Sequence, residues 1–167
     1  MIFGRGGEEI QRLRDEAIPV EVVPGITAAS GFAARLGRSL THRDSAHSVR
    51  FVTGHSRSGG LPEDLDWTGL ADAHTTVVFY MAGRTANAIA ERLICKGLQP
   101  STPVIVATSI SRADERFDEM TVGDLRNYSC DPSTAGPALI AIGNALQVVE
   151  RSQEDASADF SSSVMAI

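Results

Sequence analysis

The sequence predicts an α/β fold in which strands and helices alternate along a chain of 167 residues. Short runs rich in β-branched and aromatic residues have the length and composition of buried strands. These runs are 48–53, 75–81, 103–108 and 138–142. Between two of them, residues 85–96 repeat apolar side chains every three or four positions and end before Gly97, which is typical of an amphipathic helix with a glycine cap. Alternation of the two element types favours a sheet covered by helices.

The first part of the chain predicts a helix, a strand and a second helix. Residues 8–18 carry a helical apolar face, with acids early, arginines later and Pro19 as the stop. Residues 20–23 have the composition of a short buried strand. Thr27 is placed to cap the second helix, which Gly37 terminates. A polar stretch at 41–45 then predicts a domain boundary near residue 45.

The second part contains the strand 48–53, a glycine- and serine-rich loop, and then the remaining strands and the helix 85–96. Residues 118–122 predict one further, weaker strand. The tail from residue 151 is rich in serine, aspartate and alanine, a composition typical of disorder. We therefore divide the chain into a first domain at 1–45, an α/β domain at 46–150 and a tail at 151–167.

Composition excludes several classes of protein. A formal net charge of −6 argues against a general nucleic-acid binder, which needs a basic surface. No apolar run is long enough to cross a bilayer and no signal-peptide pattern opens the chain, so no membrane partner and a cytoplasmic location are expected. Cys95 and Cys130 are expected to be reduced thiols, and the four histidines show no ligand spacing, so no metal is expected.

Five segments carry a resemblance to a known family. They are 2–9 (IFGRGGEE), 20–31 (VEVVPGITAASG), 40–44 (LTHRD), 48–55 (SVRFVTGH) and 78–81 (VFYM). In this order they resemble the uroporphyrinogen-III C-methyltransferase branch of the tetrapyrrole methylases, from residue 2 to about residue 149. The resemblance implies a two-domain fold with its cofactor in the cleft between the domains. Because the chain opens inside the family's glycine-rich loop, we expect the first domain to be incomplete.

The resemblance implies S-adenosyl-L-methionine as cofactor and assigns its contacts to Ile2, Thr27, Ala28, Met81 and Ile110. The chemistry of the residues agrees: small residues at a helix start let a ligand approach the backbone N–H groups, and a thioether at a strand end suits an adenosyl face. Without the resemblance, Thr27 would be interpreted as a helix cap and Met81 as core filler. Ile110 is a departure, because the family usually has glycine near it and a branched side chain would narrow the pocket.

The resemblance also implies uroporphyrinogen-III as substrate, methylated twice to precorrin-2, and a homodimer as the complete enzyme. The eight carboxylates of that substrate call for cationic partners, for which Arg5, His42 and Arg43 are the candidates. The family's acid/base residues lie upstream of residue 1, so no catalytic residue is assigned. The chain is accordingly expected to be inactive alone.

Three other interpretations remain open. Residues 54–58 (GHSRS) resemble the nucleophile elbow of a serine hydrolase, although the fifth position is serine and no immediate helix is predicted. The chain could be a partial or divided subunit with a non-catalytic binding role. A methylase acting on later precorrins or on diphthine intermediates would share the fold.

Overall fold

The computed structural model describes residues 1–56, 59–129 and 136–147. The helices are α1 (Gly6–Asp15), α2 (Ala28–Leu36), α3 (Trp67–Leu70), α4 (Ala86–Cys95), α5 (Val122–Leu125) and a 3₁₀ turn, η1 (Asn144–Leu146). The strands are β1 (Ser48–Thr53), β2 (Thr75–Tyr80), β3 (Pro103–Thr108), β4 (Arg116–Thr121) and β5 (Ala138–Ile142). From β1 onward helices are interleaved with strands, with β3 and β4 as the one directly consecutive pair of strands among the described residues, so the predicted α/β class is confirmed.

The five strands form one mixed sheet in the order β1-β2-β5-β3-β4. β1 and β2 are parallel, whereas β5 runs antiparallel to both of its neighbours and β4 runs antiparallel to β3. The central strands β2, β5 and β3 are buried on both faces. This explains their continuous apolar composition, because a strand covered on both sides has no polar face.

Helices cover both faces of the sheet. On one face, α3, α4 and α5 pack a core that contains the apolar stripe predicted for α4, from Ala86 to Leu93. On the other face, Ala29 and Phe32 of α2 are fully buried against β2, β3 and β5. Two ion pairs join the C-terminal end of α2 and the residues after it to β4 and the residue before it: Arg35 with Glu115 at 2.8 Å and Arg38 with Glu119 at 2.7 Å. Both the core contacts and the ion pairs hold α2 in place.

The predicted strand at 20–23 is wrong. These residues form no strand, and Val22 and Val23 are 52% and 82% exposed. A strand needs a partner for its backbone groups, and none of the described strands lies beside this segment. The helix predicted at 8–18 begins earlier, at Gly6, and ends earlier, at Asp15. It ends there because Ala17 adopts a φ of 56° and the Ile18 N–H returns to the Leu13 carbonyl at 2.9 Å.

Other boundaries move by a few residues. β2 ends at Tyr80 because Met81 has a φ of 57°, which leaves the sheet. The weak strand begins earlier than predicted, at Arg116, and ends where a capping box between Thr121 and Asp124 starts α5. None of the helices within the described ranges combines the length and apolar character needed to cross a bilayer. Cys95 is a free, exposed thiol, and both Cys130 and the predicted tail lie outside the described residues.

Hydrogen exchange should separate α1 from the sheet. α1 buries none of its residues, whereas β2, β3 and β5 are buried throughout most of their length. Amides in regions with little buried apolar contact open at low free-energy cost. We expect α1 and residues 16–26 to exchange fastest and the three central strands slowest. Equal protection of α1 and β2, measured by mass spectrometry, would contradict this.

Candidate functional site

A cleft lies where the ends of β2 and β3, the start of β5 and the N-terminus of α2 meet. The sheet register places these ends side by side, since Tyr80 pairs with Leu139 and Thr108 pairs with Ala138. The cleft has an outer pocket of about 640 Å³ and an inner pocket of about 210 Å³, which share Ala28 and Tyr80. The outer pocket is also lined by Met1, Ile2, Gly25, Ile26, Thr27 and Ser30. The inner pocket is also lined by Met81, Ser109, Ile110, Arg112, Pro137, Ala138 and Leu139.

All five residues assigned to the cofactor line this cleft. Ile2, Thr27 and Ala28 line the outer pocket, and Ala28, Met81 and Ile110 line the inner one. They come from four separate parts of the sequence, and only the fold brings them together. Their role toward a ligand stays a prediction.

The Thr27 hydroxyl does not cap α2. Thr27 has the extended backbone of an N-cap residue, with φ −86° and ψ 160°, yet no backbone N–H donates to its side chain. Its Oγ1 lies instead 2.6 Å from the hydroxyl of Tyr80, which accepts a hydrogen bond from the Ala29 N–H at 3.1 Å. Tyr80 therefore caps the helix from the neighbouring strand. Sequence reasoning missed this residue, whose only signal was its place beside Met81 at a strand end.

Strained backbone borders the inner pocket. Met81, Ser109 and Ser111 have φ values of 57°, 52° and 63°, in the left-handed region that favours glycine. Such a conformation costs about 1–3 kcal/mol per residue, and residues of this kind cluster at functional sites. At Met81 it turns the chain at the edge of the sheet and leaves the side chain 51% exposed beside the pocket.

Ile110 packs against the core on the α2 face of the sheet and also lines the inner pocket. Gly31 of α2 lies opposite, and a methyl group placed there would stand 3.7 Å from Ile110 Cγ2. The left-handed backbone conformation that glycine favours occurs at Ser109 and Ser111, the two neighbours of Ile110.

Two carboxylates anchor the loop that carries Ile110. The Ser109 hydroxyl donates to Asp114 at 2.8 Å, and this hydrogen bond lowers the pKa of Asp114. Glu115 accepts from Arg35 Nε at 2.9 Å and from the Ser111 N–H at 2.6 Å. The Arg35 contact, followed by that of Ser111, lowers the pKa of Glu115. Glu115 therefore ties the loop to α2, so both sides of the cleft share one anchor.

The Glu115 anchor should weaken in acid. Because the folded-state pKa of Glu115 is depressed, its stabilisation is present above the unfolded pKa of about 4.3 and is lost as the pH falls through the folded value. We expect Glu115→Gln to lower the thermal midpoint at pH 7 and the difference from the parent chain to shrink as the pH falls below about 4.3. The matched control is Glu63→Gln, since Glu63 makes no hydrogen bond or ion pair with the described residues. A difference that persists unchanged at pH 3 would contradict the assignment.

None of the three residues assigned to the substrate lines either pocket. Arg5 is exposed and bonds to Glu8, with Nε 3.0 Å from Oε2. His42 Nδ1 accepts from the Asp44 N–H at 3.2 Å, and the Arg43 carbonyl lies 2.7 Å from His47 Nε2. The structure brings Arg5, His42 and Arg43 into no common site, so their assignment stays a prediction. Arg112, which lines the inner pocket, was not predicted.

The serine-hydrolase interpretation finds no support. A nucleophile elbow requires a helix directly after the serine. The Ser56 N–H instead donates to the Gly60 carbonyl at 2.8 Å. Among the described residues, the next helix begins only at Trp67.

Comparison with known proteins establishes the family. The family model of Tetrapyrrole (Corrin/Porphyrin) Methylases matches residues 1–126, and the chain belongs to this family. A siroheme synthase of Stutzerimonas stutzeri is 43% identical over 150 residues, which cover 90% of this chain and 32% of that protein. The chloroplastic S-adenosyl-L-methionine-dependent uroporphyrinogen III methyltransferase of Arabidopsis thaliana is 42% identical over 151 residues, covering 89% of this chain and 40% of its own.

Solved structures share the fold. The uroporphyrin-III C-methyl transferase of Thermus thermophilus complexed with S-adenyl homocysteine has a TM-score of 0.75 and 33% identity, covering 91% of this chain and 62% of that one. A cobalt precorrin-4 methyltransferase has a TM-score of 0.76 and 27% identity, covering 87% of this chain and 61% of that one. The chain thus spans about a third of its curated relatives and about three fifths of these solved structures.

Proposed function

We propose that this chain carries the S-adenosyl-L-methionine cleft of an enzyme that C-methylates uroporphyrinogen-III to precorrin-2. The observation that carries the proposal is the convergence of Ile2, Thr27, Ala28, Met81 and Ile110 on one cleft. The names of the siroheme synthase and uroporphyrinogen methyltransferase relatives support it. The same resemblance supports a division of the protein near residue 45 and a homodimer as its complete form.

The lining of the cleft fits such a cofactor. The inner pocket is bordered mainly by apolar side chains, among them Met81, Ile110 and Leu139, which suit the faces of an adenine ring. The outer pocket presents the hydroxyls of Thr27, Ser30 and Tyr80 near the start of α2. The hydroxyls can hydrogen-bond to the polar ends of the ligand. The N-terminus of α2 beside them favours ligand atoms that accept hydrogen bonds or carry negative charge.

The bound cofactor supplies a methyl group that its sulfonium already activates. The residues of this chain then have to hold it in line with a nucleophilic pyrrole carbon, which is catalysis by positioning. Thr27 and Tyr80 would fix the polar end, while Met81 and Ile110 would fix the adenosyl end. Arg112 at the rim of the inner pocket offers a cation to an acidic substrate, although it now pairs with Asp114 at 3.3 Å.

Residues 1–167 alone should not complete the reaction. Methylation of a pyrrole carbon ends in loss of a proton, which needs a positioned base. No carboxylate or imidazole lies among the described residues that line the two pockets. We expect the chain to bind S-adenosylhomocysteine but to form no precorrin-2 from uroporphyrinogen-III, as followed by absorbance. Appreciable precorrin-2 formation by the purified chain would contradict this.

Substrate choice can be tested on a longer protein, in which this chain is joined to the preceding methylase residues of the Stutzerimonas stutzeri relative. Methyl transfer to uroporphyrinogen-III, but not to later precorrins or diphthine intermediates, is expected. The similarity to a cobalt precorrin-4 methyltransferase makes the later precorrins the most informative alternative. Transfer only to a later precorrin would replace the proposed substrate, and no cofactor binding at all would favour a non-catalytic subunit.

A further inference from the structure

Tyr80 joins the two sides of the cleft. It is the last residue of β2 and lines both pockets, while its hydroxyl reaches the first turn of α2. Its ring packs against Phe3, with centroids 5.1 Å apart, and against Phe51 at 5.9 Å. The ring contacts fix the orientation of the side chain, so the position of its hydroxyl is set by packing.

The hydrogen bonds around Tyr80 leave one hydroxyl hydrogen unused. The Ala29 N–H donates to the Tyr80 oxygen, and the Tyr80 and Thr27 hydroxyls share a hydrogen bond of 2.6 Å. Two hydroxyls carry two hydrogens, and their shared bond uses one of them. Whichever hydroxyl donates, the other keeps its hydrogen, and within the described residues neither has another acceptor. Both residues line the outer pocket, so the remaining hydrogen is available to a ligand there.

The arrangement also explains why Thr27 is free to act. An N-cap threonine ordinarily uses its oxygen to accept from the second or third N–H of its helix. Here Tyr80 takes over that role at Ala29, the second residue of α2. Capping from β2 therefore keeps the Thr27 side chain on the cleft side of the helix.

We propose that Tyr80 is a positioning residue of the cofactor site, acting as one unit with Thr27 to present a single hydroxyl hydrogen to an acceptor atom of bound S-adenosylmethionine. This inference rests on the proposed function. It assigns to Tyr80 a role that neither the ring contacts nor the cap alone would require.

A double-mutant cycle on the full chain tests the proposal. S-adenosylhomocysteine is titrated by calorimetry into the parent chain, Tyr80→Phe, Thr27→Val and the double variant. Either single variant keeps one hydroxyl hydrogen but loses the shared bond that orients it, so we expect each single change to weaken binding about tenfold or more. Because orienting the hydrogen needs both hydroxyls, the double variant should bind within about threefold of the weaker single variant. The matched control is Tyr128→Phe, which removes a hydroxyl bonded to Asp118 at 3.1 Å, away from the cleft.

The outcomes separate the two proposals. If the parent chain binds but Tyr80→Phe binds equally well, the role of Tyr80 is wrong while the proposed function stands. Losses that simply multiply in the double variant would likewise refute the shared hydrogen. If the parent chain itself does not bind S-adenosylhomocysteine, the proposed function fails and this inference fails with it.

Discussion

Replacing Gly54 by alanine is expected to destabilise the protein by about 3 kcal/mol, the upper part of the range for overpacking. A Cβ at this position would lie 2.6 Å from Ala82 Cβ and 2.9 Å from Ala82 Cα. The glycine cannot easily retreat, because its N–H donates to the Tyr80 carbonyl at 2.8 Å and its carbonyl accepts from the Thr85 hydroxyl at 2.8 Å. The clash therefore falls on backbone directly after Met81.

Thermal unfolding gives the size of the Gly54 effect. A loss of about 3 kcal/mol corresponds to a midpoint lowered by roughly 6–12 °C in a chain of this size. Gly60→Ala is the matched control, since a Cβ there would meet nothing within 4 Å. We also expect Gly54→Ala to weaken binding of S-adenosylhomocysteine, because the turn that holds Met81 must shift. If Gly54→Ala unfolded at the same midpoint as Gly60→Ala, the turn would accommodate the methyl group without loss of stability, which would contradict the prediction.

Truncating Met81 to alanine should weaken binding of S-adenosylhomocysteine far more than it lowers stability. Met81 is 51% exposed in the described structure, so its removal leaves little cavity. If the side chain packs on the adenosyl group, the lost contact should cost about 2 kcal/mol of binding free energy, roughly thirtyfold in affinity.

The contrast with a second methionine makes the Met81 test specific. Met120 packs against the core on the opposite face of the sheet and lines neither pocket. Met120→Ala should therefore lower the thermal midpoint and leave affinity unchanged. If Met81→Ala instead lost stability and kept full affinity, Met81 would be core filler.

Local sequence was enough to predict most of the sheet. The ranges 48–53, 103–108 and 138–142 agree with β1, β3 and β5, because each is a short run rich in β-branched, aromatic or aliphatic residues. The helix α4 followed from its apolar spacing. The segment 20–23 has the same composition and yet forms no strand, since strand formation depends on a partner that local composition does not reveal. The one-turn helices α3 and α5 are too short to show a period.

The site was predicted unevenly for a similar reason. A helix start at Thr27 and a strand end at Met81 are readable from local patterns, and the family resemblance supplied the rest. Tyr80 was missed because its role depends on a contact with Thr27, 53 positions away. No local pattern encodes that distance. The positive φ values at Met81 and Ser109 were hidden as well, because neither residue type favours them.

We expect the cleft between α2 and the ends of β2 and β3 to bind S-adenosylmethionine. Methyl NMR of the chain labelled at its methionine methyl groups tests it most directly, because Met81 and Met1 line the cleft while Met120 lies on the other face of the sheet. On titration with S-adenosylhomocysteine, the Met81 resonance should move in a saturable manner and the Met120 resonance should stay in place. Saturable binding that leaves Met81 unmoved, or that shifts Met120 instead, would contradict the account.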